Sequence, residues 1–271
     1  MPMGLSRGVN LKANQMKKHI PNFITLLNVL CGCVAAVFAV LNQIELAAIF
    51  VFLGIVFDFF DGMAARLLDV KSELGLQLDS LADMITSGLV PGIVMFQLLG
   101  MSMSGGWNLP DAQAGLDFAI DARPLAWDAI SVSILPFVGF LITMASAYRL
   151  AKFNIDANQT SSFIGLPTPA NALLILSIPL ILRYQGSEML NDIILNQWFL
   201  IGMTLLSAFL LNCNIELFAL KFKNWGFRDN ALRYSFIILS IVLLISLKFL
   251  AVPLLIGFYI LSSLIKKVST K

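Results

Sequence analysis

Apolar runs broken by short polar or Pro/Gly-containing stretches recur along the whole chain. Eight of them are candidate spans, at about 21–41, 44–66, 75–99, 128–150, 165–184, 194–217, 232–247 and 249–265. A helix rises 1.5 Å per residue, so about 20 apolar residues cross the hydrocarbon layer. Most of these runs are that long, and their repetition predicts an all-α polytopic membrane protein. Only Lys248 separates the last two runs, so they read either as two spans or as one bent or re-entrant segment. The longest connection, about 100–127, holds Asp111, Asp117 and Asp121 with little periodicity and is expected to be a solvated loop.

Composition agrees with the pattern. The hydrophobic set makes up 58% of the 271 residues and charged residues only 13%, about half the share usual in soluble domains. The net charge of +2 is small, and no nucleic-acid partner is expected. Its distribution is more telling. With the N-terminus on the cytoplasmic side, all of the 18 Lys and Arg residues except Arg123, Arg183 and Lys248 fall on that side, which the positive-inside rule favours. The expected location is the cytoplasmic membrane, with the N-terminus inside. Cys31, Cys33 and Cys213 have neither disulfide nor zinc spacing and read as packing residues. His19, the one histidine, flanks the first span beside Lys17 and Lys18 as an interfacial residue.

The chemistry is concentrated in residues 58–83, DFFDGMAARLLDVKSELGLQLDSLAD. Asp58 and Asp61 lie three apart at the inner end of the second span, and Asp79 and Asp83 four apart at the inner start of the third, so each pair shares a helix face. The short connection makes these helices antiparallel neighbours, which brings four carboxylates to one depth. Ionised acids near a bilayer are costly and repel one another. Divalent cations bound between them remove both penalties, and an all-oxygen ligand set suits Mg²⁺ or Mn²⁺. Gly62 and Gly75 allow a flat ligand close to the backbone, Ala65 extends the small-residue surface, and Arg66 offers a fixed positive charge suited to phosphate.

Asp58, Asp61, Gly62, Ala65, Arg66, Gly75, Asp79 and Asp83 match every fixed position of D-x2-D-G-x2-A-R-x8-G-x3-D-x3-D, the signature of the CDP-alcohol phosphotransferases, and the chain resembles that family over about residues 20–215. The resemblance implies a six-helix core, here with about two extra C-terminal transmembrane helices, usually as a homodimer. It also implies two divalent metals bridging Asp58, Asp61, Asp79 and Asp83 to the donor pyrophosphate, with Asp83 as general base. Asn22, Thr25 and Asn28 form a polar stripe on the first span, explained equally well by helix capping and packing or by ligand contact; in the family this region resembles one wall of the nucleotide pocket. The expected organisation is a cytoplasmic N-terminal segment (1–19), the transmembrane catalytic domain (20–217) and a C-terminal transmembrane extension (218–271).

Arg149 and Lys152, one turn apart, are able to snorkel to headgroups or to hold a donor phosphate or the acceptor's carboxylate. The stretches Arg149–Asn154 and Gly165–Ala170 resemble the phosphatidylserine synthase branch, with Lys152 where arginine is usual and Thr86 and Ser87 where Ser and Phe are common. That branch implies CDP-diacylglycerol as donor and L-serine as acceptor, with membrane lipids around both. A relative using glycerol 3-phosphate or inositol phosphate is the alternative within the family. A divalent-cation transporter is the alternative outside it, and it predicts acids deeper in the spans.

Overall fold

A computed structural model describes residues 4–70, 72–103, 133–155, 163–217 and 227–269. Most of the expected loop at 100–127, with its three aspartates and Arg123, lies outside the described residues. The chain is helical almost throughout. The helices are α1 (Gly4–Val40), α2 (Ile44–Leu67), α3 (Glu73–Asp83), α4 (Val90–Met103), α5 (Leu141–Ile155), α6 (Thr168–Gln185), α7 (Glu188–Ile194), α8 (Gln197–Asn212), α9 (Phe227–Leu247) and α10 (Ala251–Ser269). A π-helical segment, Met84–Leu89, joins α3 to α4, and a 3₁₀ segment, Leu135–Phe140, leads into α5. The one β pairing among the described residues is antiparallel, with Phe163 opposite Leu217 and Ile164 opposite Glu216.

Among the described residues four stretches are long and apolar enough to cross a bilayer: His19–Val40, Ile44–Leu67, Glu73–Met103 and Tyr234–Leu264. A fifth is added if Glu188–Ile194 and Gln197–Asn212, bent by 58°, count as one. This is a multi-pass membrane protein, although fewer segments qualify singly than the eight runs suggest. α5 has 15 residues, and α6 is polar at both ends, with Asn171 near one and Arg183, Tyr184 and Gln185 at the other. Both pack among the longer helices.

The C-terminal stretch does not run straight. Phe236 stacks on Phe258 at 6.1 Å between ring centroids, and in one continuous helix 22 residues would separate them by roughly 33 Å. α9 and α10 therefore form an antiparallel hairpin, closed where Lys248 takes a left-handed backbone (φ 48°). Gln185 holds that turn, its Nε2 donating to the Leu247 carbonyl at 2.9 Å and its Oε1 accepting from the Leu250 amide at 3.1 Å. The two apolar runs therefore meet in a reversal at Lys248, an arrangement common to a pair of spans and to a re-entrant segment.

Glu73–Met103 is the central helix, with most of its apolar window buried inside the protein. Val90, Val94, Met95, Leu98 and Leu99 are fully buried and pack with Ala35, Ala39, Val51, Ile142, Ile175 and Leu200 from the surrounding helices. Two buried glycines, Gly32 and Gly54, let α1 and α2 close on the π segment: a Cβ on Gly54 would stand 2.7 Å from both Asn28 Oδ1 and Thr86 Cγ2. Thr86 uses this proximity to donate to Asn28 Oδ1 at 2.7 Å. At the opposite end, Gln97 donates to the Val40 carbonyl at 2.8 Å, and Arg183 pairs with Glu45. Cys31 is buried and Cys33 exposed, as their spacing on one helix requires.

Candidate active site

The turn between α2 and α3 sets the site. Asp69 adopts φ 52°, and the Val70 amide returns to the Ala65 carbonyl at 3.0 Å. Ser72 then caps α3 by accepting from the Gly75 amide at 3.0 Å. The reversal places the carboxylates of Asp58, Asp61 and Asp79 so that one oxygen of each lies within 4.8 Å of the others. Thr25 of α1 donates to Asp61 Oδ2 at 2.6 Å, which orients that buried carboxylate and ties the polar stripe of α1 to the acids.

At such a separation two ionised carboxylates repel by roughly 3 kcal/mol with an effective dielectric near 20. Among the described residues no basic side chain acts on these three carboxylates to offset this. Arg66 is exposed and turns back to donate to the Gly62 carbonyl at 2.9 Å. Hard oxygen donors, mutual repulsion and an accessible cleft fit a divalent cation, so the cluster is suited to hold a metal ion.

An open cleft of about 600 Å³ adjoins the acids. Its walls include Asn22 and Thr25 from α1, Gly62, Ala65 and Arg66 from α2, and Gly75 from α3, with Asp61 and Asp79 at its inner end. The six residues expected to contact the nucleotide thus line one space. Nothing lies within 4 Å of a Cβ built on Gly62, so a side chain there would occupy the cleft without disturbing the helices. Gly62→Leu is therefore expected to leave thermal stability unchanged or slightly higher, since Gly is the poorer helix former by up to about 1 kcal/mol. It should weaken donor binding roughly 10-fold or more, on the scale of 1–3 kcal/mol for forcing extra methylenes into a filled space. Unfolding temperature and donor KM, measured on the same preparation, check both halves.

Asp83 lies beside the cluster, outside the group within 4.8 Å but close enough for its charge to act on those of Asp58, Asp61 and Asp79. Its carboxylate interacts with Arg149 of α5 and Thr168 at the start of α6. The side chain of Ser80 donates to Asn154 Oδ1 at 3.0 Å and Asn154 Nδ2 donates to Gln77 Oε1 at 3.3 Å, which fastens the inner end of α5 to α3 and brings Arg149 beside Asp83. Lys152 points elsewhere and is exposed, so the two expected phosphate or acceptor cations occupy different environments. The π segment begins directly after Asp83, and such insertions recur at functional sites because they rotate the faces of a helix relative to one another. Thr168 received no role from sequence. The signal available was its place at the head of α6, where Pro167 precedes the first turn.

Gly165 closes the rim nearby. Its φ of 73° and its approach to the Leu211 carbonyl, 2.6 Å from a Cβ built there, leave room for glycine alone. Its amide donates to the Ile215 carbonyl at 2.9 Å, and that of Leu166 to the Leu210 carbonyl at 2.8 Å, so the start of α6 is held against the end of α8.

Comparison with known proteins identifies the family. A sequence model of the family described as CDP-alcohol phosphatidyltransferase matches residues 18–210. The CDP-diacylglycerol–serine O-phosphatidyltransferase of Bacillus subtilis (strain 168) is 32% identical over 155 residues, covering 56% of this chain and 70% of that protein. The protein of the same name from Methanocaldococcus jannaschii is 28% identical over 188 residues, covering 69% and 71%. The one from Mycobacterium tuberculosis is 28% identical over 189 residues; the match covers 67% of this chain and about half, 54%, of the mycobacterial protein.

Proposed function

The chain belongs to the CDP-alcohol phosphatidyltransferase family, and from that premise we propose that it transfers the phosphatidyl group of CDP-diacylglycerol to the hydroxyl of L-serine, releasing CMP. The observation that carries the proposal is the division of the site. A cleft with Gly62, Ala65 and Gly75 on its walls ends at three clustered acids, and a fourth acid lies against Arg149 and Thr168. The names of the relatives support serine as acceptor.

In this mechanism the cytidine moiety lies between Asn22 and Thr25 on one wall and Gly62 and Gly75 on the other. Asp58, Asp61 and Asp79 would hold divalent cation, two ions of Mg²⁺ or Mn²⁺, which would supply positive charge to offset that of the pyrophosphate and the leaving CMP. Asp83 accepts the proton of the serine hydroxyl as its oxygen forms a bond to the phosphorus that carries diacylglycerol, and the bond from that phosphorus to the CMP oxygen breaks. Arg149 binds the acceptor's negative charge. The diacylglycerol chains stay in the bilayer while serine and CMP exchange with water.

The catalytic unit is residues 20–217, and the hairpin of α9 and α10 lies in the C-terminal extension, 218–271. The site faces the cytoplasm in the cytoplasmic membrane, with the N-terminus on the same side, and the protein acts as a homodimer. The basic-residue asymmetry supports the sidedness.

The test is direct. Purified protein is supplied with CDP-diacylglycerol and, separately, L-serine, glycerol 3-phosphate or inositol phosphate, and the lipid product is identified by mass spectrometry. Phosphatidylserine, with equimolar CMP, is expected from serine alone. A product only from a phosphorylated acceptor would replace the serine assignment.

A further inference from the structure

A second layer of polar groups lies beneath Asp83, Arg149 and Thr168. The central helix and α6 run away from the catalytic end, whereas α5 runs toward it. Moving four residues on from Asp83, three back from Arg149 and three on from Thr168 therefore leads in the same direction, by about one helical turn or roughly 5 Å. The residues reached are Ser87, Ser146 and Asn171, at 0% exposure in each case. Each carries a buried polar atom without a hydrogen-bond partner: Ser87 Oγ, Ser146 Oγ and Asn171 Nδ2. Asp83 Oδ1 and Arg149 Nε above them are unpartnered in the same way.

The helices meet at this depth. Thr143 donates to the Gly88 carbonyl at 3.0 Å, and a Cβ on Gly88 would stand 3.2 Å from the Ser146 Cβ, which seats the π segment on α5. The side-chain oxygen of Asn171 already accepts from Ser207 at 2.6 Å, so its amide group is fixed with its hydrogens unspent. Unpaired buried donors of this kind are rare in folded proteins and call for an occupant.

The chemistry of the layer limits what that occupant is. Apart from Asp83 Oδ1, which is left to accept from the acceptor's hydroxyl, the unspent groups are two hydroxyls, one amide NH₂ and the guanidinium Nε of Arg149, a set rich in donors. Residues 84–103, 133–148 and 169–182 contain no Lys, Arg, Asp or Glu, so Arg149 is the only cation these segments place at the layer's edge. A phosphate carrying close to two charges would be buried there largely uncompensated, at heavy cost. A single carboxylate suits the set.

Resting on the transfer reading above, we propose that Ser87, Ser146 and Asn171 form the floor of the acceptor pocket and, with Arg149, hold the carboxylate of a small hydroxy amino acid, leaving its hydroxyl at Asp83. The floor selects against phosphorylated alcohols because it offers hydrogen bonds without further positive charge.

Ser87→Ala, Ser146→Ala and the double variant test this. Each change removes a buried oxygen that has no protein partner, so the unfolding temperature should hold or rise. The KM for serine should rise roughly 10-fold or more in each single variant, the scale of one lost hydrogen bond to a charged group, while the KM for CDP-diacylglycerol stays within about twofold. Any other pattern overturns the floor: serine KM unmoved, both KM values raised together, or stability lost. The wild-type protein assayed in parallel keeps the two ideas apart. Without serine-dependent CMP release in the wild type the transfer reading itself fails, whereas release that the variants leave unchanged removes the floor alone.

Discussion

Dialysis of the purified protein against a strong chelator is expected to abolish serine-dependent CMP release, by 100-fold or more as an order of magnitude for removing Lewis-acid assistance, and added Mg²⁺ or Mn²⁺ should restore it. The expectation comes from the three carboxylates whose oxygens lie within 4.8 Å. Among the described residues no lysine or arginine stands among them to take up their charge: Arg66 is exposed and bonded to its own helix. Thr25 holds Asp61 by its hydroxyl, so the cluster keeps its shape without an ion present. A cation that binds this arrangement and not the unfolded chain also raises stability, by about 2.7 kcal/mol at a hundred times its Kd. The unfolding temperature should therefore climb with Mg²⁺ in the absence of any substrate. Full turnover under thorough chelation would remove the metal from the mechanism, and a flat melting curve would remove it from this cluster.

How much of this was legible beforehand depended on the range of the interactions involved. Asp58, Asp61, Asp79 and the Gly62, Ala65, Arg66 and Gly75 surface follow from helical spacing plus one short turn, whereas Asn22 and Thr25 joined them only through the family resemblance; the structure clusters the three acids and lines one cleft with the other six residues. Spacing sufficed because the short connection at 68–72 turns the chain back and brings the acidic ends of α2 and α3 to one depth, although the two helices scarcely touch and α1 packs against both. The π segment was not legible. Met84–Leu89 is as apolar as its surroundings, and an α and a π turn differ by less than one residue per turn. The partners of Asp83 were half legible. Arg149 belongs to a recognisable stretch, but its separation from the exposed Lys152 depends on how α5 is rotated, which Asn154 and Asn212 set through contacts to α3 and α8 with distant chain positions. Ser87, Ser146 and Asn171 belong to three different segments, and no local pattern joins them. The C-terminal hairpin was open because the stretch on either side of the reversal is apolar and only Lys248 marks it in the sequence, while Gln185, which holds the turn, lies over 60 residues earlier.

Asp83→Asn should separate proton transfer from metal and donor binding. Asp83 lies outside the triad of clustered acids, with one carboxylate oxygen buried and unpartnered and with Arg149 and Thr168 as its neighbours. Asparagine keeps the size and an oxygen but cannot accept the proton of an alcohol, so kcat is expected to fall by roughly 10²–10⁴, the range for a lost general base. Donor affinity should stay within about threefold, because the three clustered carboxylates are untouched. Asp58→Asn and Asp79→Asn reverse the pattern. Each removes one of the clustered charges, so the Mg²⁺ concentration for half-maximal activity and the KM for CDP-diacylglycerol should rise together. Serine-dependent CMP release and Mg²⁺ titrations on the three variants resolve the division. If Asp83→Asn turns over near the wild-type rate, the proton goes elsewhere; if it shifts the Mg²⁺ requirement as Asp79→Asn does, Asp83 acts as a fourth ligand and not as a separate base.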